Sequence, residues 1–260
     1  MINVAVDAAL EAGREIMRIY LDPKQDFGIE KKSDNSPLTI ADRVAHDCSV
    51  RHLAQTGIPI LSEEGAHLPY EERKAWHRLW IVDPLDGTKE FIKRNGEFTV
   101  NIALVEAGVP VLGVIYAPAQ DVLYTGIVED DPSKPPFGVK AWRKGSGKTS
   151  PFPLGEDRDR AFTIVASRSH MNPETEEFIS MMRRKYDDIR IVSSGSSLKM
   201  CLVAEGTADV YPRFAPTMEW DTAAGDAIVR AAGKMVVNAQ TGQPLTYNKP
   251  DLHNPWFIVQ

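Results

Sequence analysis

The sequence predicts a mixed α/β chain, α+β in its first half (residues 1–150) and α/β in its second (151–260). Three observations carry that reading. Apolar residues recur at helical spacing over 2–20 and 41–55. Residues 98–142 follow a strand pattern broken by turn residues. After residue 160, strand-like and helix-like stretches take turns. Gly, Ser, Pro and charged residues mix through 143–160, which is the candidate boundary between the halves.

Taken in order, Ile2, Val6, Leu10, Gly13, Ile16, Met17 and Tyr20 mark an amphipathic helix that stops near Pro23. Gly13 on its apolar side predicts a close contact with another helix. Residues 27–32 read as a short strand, and 33–37 as a turn cluster. The second helix, 41–55, has Asp42 in its first turn, where the helix dipole alone favours an acid. Strands are expected at 58–61, 79–82, 100–104, 111–116, 122–128 and 138–142, with a solvated loop at 129–136. The second half predicts strands at 162–166, 189–192 and 208–211, and helices at 173–185, 198–205 and 222–232. It ends in a hairpin-like pair, 235–237 with 256–259.

Composition bounds the function. A formal charge of −6 argues against a sequence-independent grip on nucleic-acid polymer, which needs a basic face. Small anionic substrates stay open, because a bound divalent cation inverts the local field. Cys48 and Cys201 lie far apart without metal-type spacing, so each is expected to pack as a small apolar side chain in a reducing compartment. No stretch reaches membrane-span length and the N-terminus lacks a signal pattern, so the chain is expected to be cytoplasmic, with peripheral association with the inner membrane left open.

The chemistry gathers at residues 80–91, WIVDPLDGTKEF. A buried strand ends in Asp83 and Asp86, and two desolvated acids are costly unless they bind a cation. Gly87 permits an unusual backbone angle, and Thr88 opens a short helix whose free N–H groups suit phosphate. Together they describe half of a metal-dependent phosphatase site; an acidic turn with a capping Asp accounts for the same residues. Residues 58–65 form a second apolar strand ending in acids, Glu63 and Glu64. Two such strands could deliver several oxygen ligands to one place, as hard cations require. Asp221 reads either as a helix cap or as a further carboxylate. Ser194, Gly195 and Ser196 read as cap residues or as donors to a phosphate or ribose, and His170 as a solvated histidine of a polar loop.

WIVDPLDGTKEF, the upstream LSEEG and the downstream EWDTAAGDAIVRAAG, in this order and spacing, resemble the inositol monophosphatase superfamily over essentially the full chain. The KEF ending resembles the 3′(2′),5′-bisphosphate nucleotidase branch. The resemblance implies a layered αβαβα sandwich and a Mg²⁺-dependent, lithium-sensitive phosphatase with two or three ions. It implies hydrolysis of 3′-phosphoadenosine 5′-phosphate to AMP and phosphate in sulfate assimilation, by activated water without a phospho-enzyme. Glu63, Asp83 and the Leu85 carbonyl would hold one metal; Asp83, Asp86 and Asp221 would hold a second. Gly87 and Thr88 would offer N–H groups to the scissile phosphate. Asp42 and Thr88 would orient the attacking water, with Glu63 counted among the catalytic residues. His170, Ser194, Gly195, Ser196 and Lys199 would contact the nucleotide, with Asp221 beside them. Lys234 departs from relatives that carry a second Gly after Gly233. The rival activities are an inositol monophosphatase or sugar phosphatase, for which Lys199 and Arg213 are unneeded, and a non-catalytic nucleotide-and-metal sensor. The expected partner is a small nucleotide and no nucleic-acid polymer; the chain is expected to be a monomer or homodimer, with the β-rich half able to supply a dimer edge.

Overall fold

A computed structural model describes all 260 residues except 25, 33–35, 67, 129–141, 146–147, 152–159 and 168–171. The turn cluster at 33–35, the loop at 129–136, most of the strand expected at 138–142 and His170 therefore lie outside the described residues.

Chain order in the first half runs α1 (Ile2–Leu21), β1 (Glu30–Lys31), β2 (Pro37–Leu38), α2 (Ile40–Leu53), β3 (Ile60–Ser62), α3 (Tyr70–Arg73), β4 (Arg78–Asp86) and α4 (Thr88–Ile92). It continues through β5 (Thr99–Glu106), β6 (Val109–Ala117), β7 (Val122–Ile127), β8 (Trp142–Gly145) and β9 (Lys148–Pro151). The second half supplies β10 (Phe162–Ser167), α5 (Pro173–Arg183), β11 (Ile189–Ser194), α6 (Leu198–Ala204) and β12 (Tyr211–Arg213). It closes with α7 (Glu219–Ala231), β13 (Val236–Asn238) and β14 (Phe257–Val259).

Strands β3 to β9 form one seven-stranded sheet in sequence order, antiparallel except for the parallel pair β3–β4. Both faces are covered, which is why residues 79–82 of β4 and 102–105 of β5 read as apolar runs. Trp80, Val82, Ile102 and Val114 pack toward α1 and α2. Leu79, Ile81, Ala103 and Ile115 pack toward α6 and α7. Beyond those helices lie the parallel pair β10–β11 and the antiparallel sheet β12-β14-β13, with Ile164 and Val210 bridging the two. Helix α5 covers them through Phe178 and Ile179. The layers are therefore α-β-α-β-α. One apolar cluster draws on both halves of the chain, so the halves share a core.

Alanine and glycine set the spacing between α7 and the sheet. A Cβ on Gly113 would stand 2.2 Å from the Ala224 carbonyl oxygen, so α7 can lie directly on β6 only because that atom is missing. Gly13 also marks a close approach, but to the sheet: its Cβ would meet the Tyr116 ring at 2.4 Å. The expected helix partner is thus a strand residue.

Other corrections are small and physical. Strand β4 does not stop at Val82; it continues to Asp86 through an irregularity opposite β5. The strand expected at 208–211 forms at Tyr211–Arg213, with Val210 making an isolated bridge. Helix α7 starts at Glu219, which puts Asp221 inside its first turn rather than at the cap. The closing pair does form, but β14 lies between β12 and β13 rather than in a simple hairpin.

Candidate active site

The site is built on the register of β3 and β4. Their parallel pairing sets Leu61 beside Ile81 and Ser62 beside Val82. The Glu63 N–H then donates to the Val82 carbonyl at 3.1 Å, so Glu63 and Asp83 emerge together.

The irregularity in β4 places the second acid. Asp83 pairs with Asn101 and Asp86 with Thr99, so β4 carries one residue more than β5 across this step. Residues three apart on a regular strand face opposite ways; one inserted residue turns them toward the same side. Pro84, which has no N–H to lose from the ladder, sits within that bulge. The Asp83 Oδ1 accepts the Leu85 N–H at 3.0 Å, which tightens the turn. Gly87 follows with φ +91°, and α4 begins at Thr88.

Asp221 arrives from the other half. Its Oδ2 accepts the Met218 N–H at 2.8 Å, fixing the carboxylate at the start of α7. Ser197, ahead of α6, ties the halves together: its hydroxyl donates to Asp86 Oδ2 at 2.6 Å and lies 2.8 Å from the Asp221 carbonyl oxygen. Asn101 Nδ2 donates to the Ser197 hydroxyl at 2.8 Å and reaches Asp86 Oδ2 at 3.2 Å.

Four acids consequently crowd one low-dielectric place. Burial drives the Asp83 carboxyl well above the ordinary range, and Glu63, Asp86 and Asp221 push it further. Asp221 is raised to about 8 by burial, then by Asp86 and Glu63. Glu63 is raised by burial despite the pull of Lys32. Such a set is unfavourable as anions and well suited to a hard cation. One cation already touches it: Lys32 Nζ donates to Glu63 Oε1 at 2.7 Å and also binds Glu64. The donors are all oxygens, with no thiol or imidazole among Glu63, Asp83, Asp86 and Asp221, so the residues present fit Mg²⁺. Among the described residues, the group of three Cys, His or acid ligand atoms lying within 4.8 Å of one another is elsewhere, at Glu11, Cys48 and His52.

Asp42 stands at the third position of α2 and is 1% exposed. Its Oδ2 accepts the Thr39 N–H at 2.7 Å and the Thr39 hydroxyl at 2.5 Å. Its Oδ1 accepts the Thr88 hydroxyl at 3.0 Å, and that hydroxyl lies 3.4 Å from the Leu85 carbonyl oxygen. Capping and the link to Thr88 are thus done by different oxygens of one carboxylate. Burial raises the Asp42 carboxyl while its three hydrogen bonds oppose the rise.

The acids open onto a cleft lined by Asp86, Gly87, Ser196, Lys199, Arg213 and Asp221. Gly195 closes its wall against the connection between α4 and β5: a Cβ there would stand 2.7 Å from the Glu97 carbonyl oxygen. Ser196 adopts φ +44°, and its buried hydroxyl has no partner among the described residues. The Ser194 hydroxyl lies 3.5 Å from the Gly195 carbonyl oxygen. Lys199 is 7% exposed and donates to the Ser196 carbonyl at 2.5 Å. Burial pulls its ammonium down to about 8, with Asp86 opposing and Arg213 assisting. Arg213 Nε is likewise buried without a partner among the described residues. Two cations, and a hydroxyl without a partner among the described residues, share this cleft with Asp86 and Asp221, an arrangement suited to a polyanion beside a metal.

The structure therefore brings together Asp42, Glu63, Asp83, Leu85, Asp86, Gly87, Thr88, Ser194, Gly195, Ser196, Lys199 and Asp221, and leaves His170 outside the described residues. Sequence reasoning missed Lys32, Asn101 and Ser197. Asn101 carried a faint signal, as a polar residue third along a largely apolar strand.

The chain is similar to known proteins along its whole length. Residues 1–255 match the inositol monophosphatase family. The crystal structure of CysQ from Bacteroides thetaiotaomicron, a bacterial member of that family, superposes with a TM-score of 0.88 at 54% identity, covering 99% of this chain and 95% of that one. The 3′(2′),5′-bisphosphate nucleotidase CysQ of Shigella flexneri is 45% identical over 264 residues, 100% of this chain and 99% of the relative. Its namesake in Escherichia coli K12 is 43% identical over 262 residues, again 100% and 99%. No helix among the described residues is long and apolar enough to cross a membrane. The chain belongs to the inositol monophosphatase family.

Proposed function

We propose that this protein is a Mg²⁺-dependent phosphomonoesterase that converts 3′-phosphoadenosine 5′-phosphate to AMP and phosphate. The observation that carries the reading is the pairing of two sites in one cleft. Asp86 and Asp221, which crowd Asp83 together with Glu63, line one cleft with Gly87, Lys199 and Arg213. A bisphosphate nucleotide needs both, one for the phosphate that leaves and one for the phosphate that stays. The nucleotidase names of relatives at 43–45% identity support the same choice.

Glu63, Asp83, Asp86, Asp221 and the Leu85 carbonyl would hold the metal. When bound, Mg²⁺ supplies Lewis acidity and lowers the pKa of a nearby water. The chain's own residues do the rest. Thr88 Oγ1, held by Asp42, accepts a hydrogen bond from the attacking water and aims it in line. Asp42 receives the proton through that hydroxyl. The N–H groups of Gly87 and Thr88, which have no partner within α4, receive the scissile phosphate. Lys199 and Arg213 bind the remaining phosphate, and the Ser196 hydroxyl contacts the nucleoside. Water attacks phosphorus directly, without a phosphorylated carboxylate.

The test is phosphate release with Mg²⁺ from 3′-phosphoadenosine 5′-phosphate, inositol 1-phosphate and fructose 1,6-bisphosphate. The expected result is a large preference for the nucleotide, lost on Lys199→Met. Equal or better turnover of the sugar or inositol phosphate would reassign the substrate and leave the metal site standing.

A further inference from the structure

Away from the cleft, the outer surface of the α1–α2 pair carries a cluster that the proposed reaction does not use. Glu11 lies midway along α1, while Cys48 and His52 lie four residues apart on α2, on one helical face. His52 Nε2 stands 2.5 Å from Glu11 Oε2. The ligand atoms of Glu11, Cys48 and His52 all lie within 4.8 Å of one another. A single ion with ligand bonds of ~2.0–2.3 Å places its ligands at about such separations. A cation already occupies this edge: Arg51 Nη2 is 2.5 Å from Glu11 Oε1 and 3.6 Å from Cys48 Sγ. The Arg51 side chain is 63% exposed, so it can swing into solvent when displaced. Glu11 and His52 are half-buried and form the approach, whereas Cys48 is buried behind them.

We infer that Glu11, Cys48 and His52 form a second metal site, selective for a borderline-soft divalent cation of the zinc type. One thiolate, one imidazole and one carboxylate make a donor set that Mg²⁺ disfavours and Zn²⁺ accepts, leaving a fourth position for water. Binding breaks the Cys48 S–H bond and forms a sulfur–metal bond, and the proton leaves to solvent. Without a cation, burial and the neighbouring Glu11 hold the thiol up at about 11, so it stays protonated. With one, the charge of Glu11 and the thiolate balances the metal. The ion would clip α1 to α2, whose first turn presents Asp42 to the cleft. The alternative is an ordinary Arg51–Glu11–His52 ion-pair network over a packed thiol.

Co²⁺ titration of the full chain in excess Mg²⁺ separates the two. A thiolate-to-cobalt charge-transfer band should grow in, saturate at one ion per chain, and bleach on addition of Zn²⁺. Cobalt among the carboxylates of the cleft gives no such band. Cys48→Ser should abolish it and Cys201→Ser should not, with Mg²⁺-supported turnover unchanged in both. His52→Ala and Glu11→Gln, at half-buried positions that the fold tolerates, should each weaken cobalt affinity at least ~10-fold. Arg51→Gln should strengthen it by removing the competing cation. Absence of the band in wild type, its persistence in Cys48→Ser, or indifference to both His52→Ala and Glu11→Gln would overturn the assignment.

Discussion

Two fully buried aspartates, Asp83 and Asp226, show how this fold treats acids it needs for different ends. Asp226, on α7, is bridged by Arg230 at 2.7 Å and receives the Tyr247 hydroxyl at 3.0 Å. Its charge is answered within the protein. Asp83 accepts one backbone N–H, and its neighbours are Glu63, Asp86 and Asp221. Burial raises both carboxyls, but Arg230 pulls Asp226 back whereas the acids around Asp83 push it further. A paired buried acid holds the fold together; an acid buried among acids is suited to a cation from outside.

The comparison can be broken by exchanging charge for amide at each place. Asp83→Asn should lower Mg²⁺-supported turnover by ~10³-fold or more, because a metal supplies several kcal/mol of transition-state stabilisation. Its melting temperature should hold or rise, since like-charge repulsion is relieved. Asp226→Asn should do the opposite. Leaving the half-buried Arg230 beside an amide should remove up to ~3–5 kcal/mol of stability, with turnover per folded molecule kept. Parallel melting curves and rates read both. A thermally weakened Asp83→Asn with normal turnover would reverse the assignment.

Thr88→Val sharpens the catalytic side, since it removes the hydroxyl linking Asp42 to the cleft and leaves the Thr39 cap intact. It should reduce kcat by up to ~10²-fold with KM nearly unchanged. A matching loss in KM alone would place Thr88 in binding rather than in orientation.

The smallest effect is a pH dependence of stability. Asp221, raised to about 8, holds a proton in the folded protein that the unfolded chain has released above about pH 4. The metal-free fold is therefore most stable below the unfolded value and loses stability as pH climbs through about 8. Mg²⁺ competes with that proton, so its stabilisation should be larger at about pH 8 than at about pH 6, by ~5 °C at saturating metal. An equal Mg²⁺ shift at both pH values would contradict the crowding of Asp221.

Much of this was legible in the sequence because it is local. Helix α1 follows from its apolar spacing, the run 79–82 from two buried faces, and Asp83, Asp86, Gly87 and Thr88 from one continuous stretch. Glu63 was legible as an acid ending a strand, though only the parallel register of β3 and β4 brings it to Asp83. Asp221 read equally well as a cap until the resemblance placed it. The missing partners are contacts between distant residues: Lys32 to Glu63 spans 31 positions and Asn101 to Ser197 spans 96. Cys48 illustrates the limit. Its spacing to Cys201 carried nothing, whereas His52 one turn on and Glu11 on the neighbouring helix form a cluster that helix packing creates.

The account turns on whether the crowded acids bind a cation that Asp226 does not. Calorimetric titration of Mg²⁺ into wild type, Asp83→Asn and Asp226→Asn at about pH 8 tests this directly. Wild type and folded Asp226→Asn should bind with similar affinity, and Asp83→Asn should lose tight binding while remaining folded. Equal Mg²⁺ affinity in Asp83→Asn and wild type would show that the acids serve the fold alone, and the proposed reaction would lose its metal.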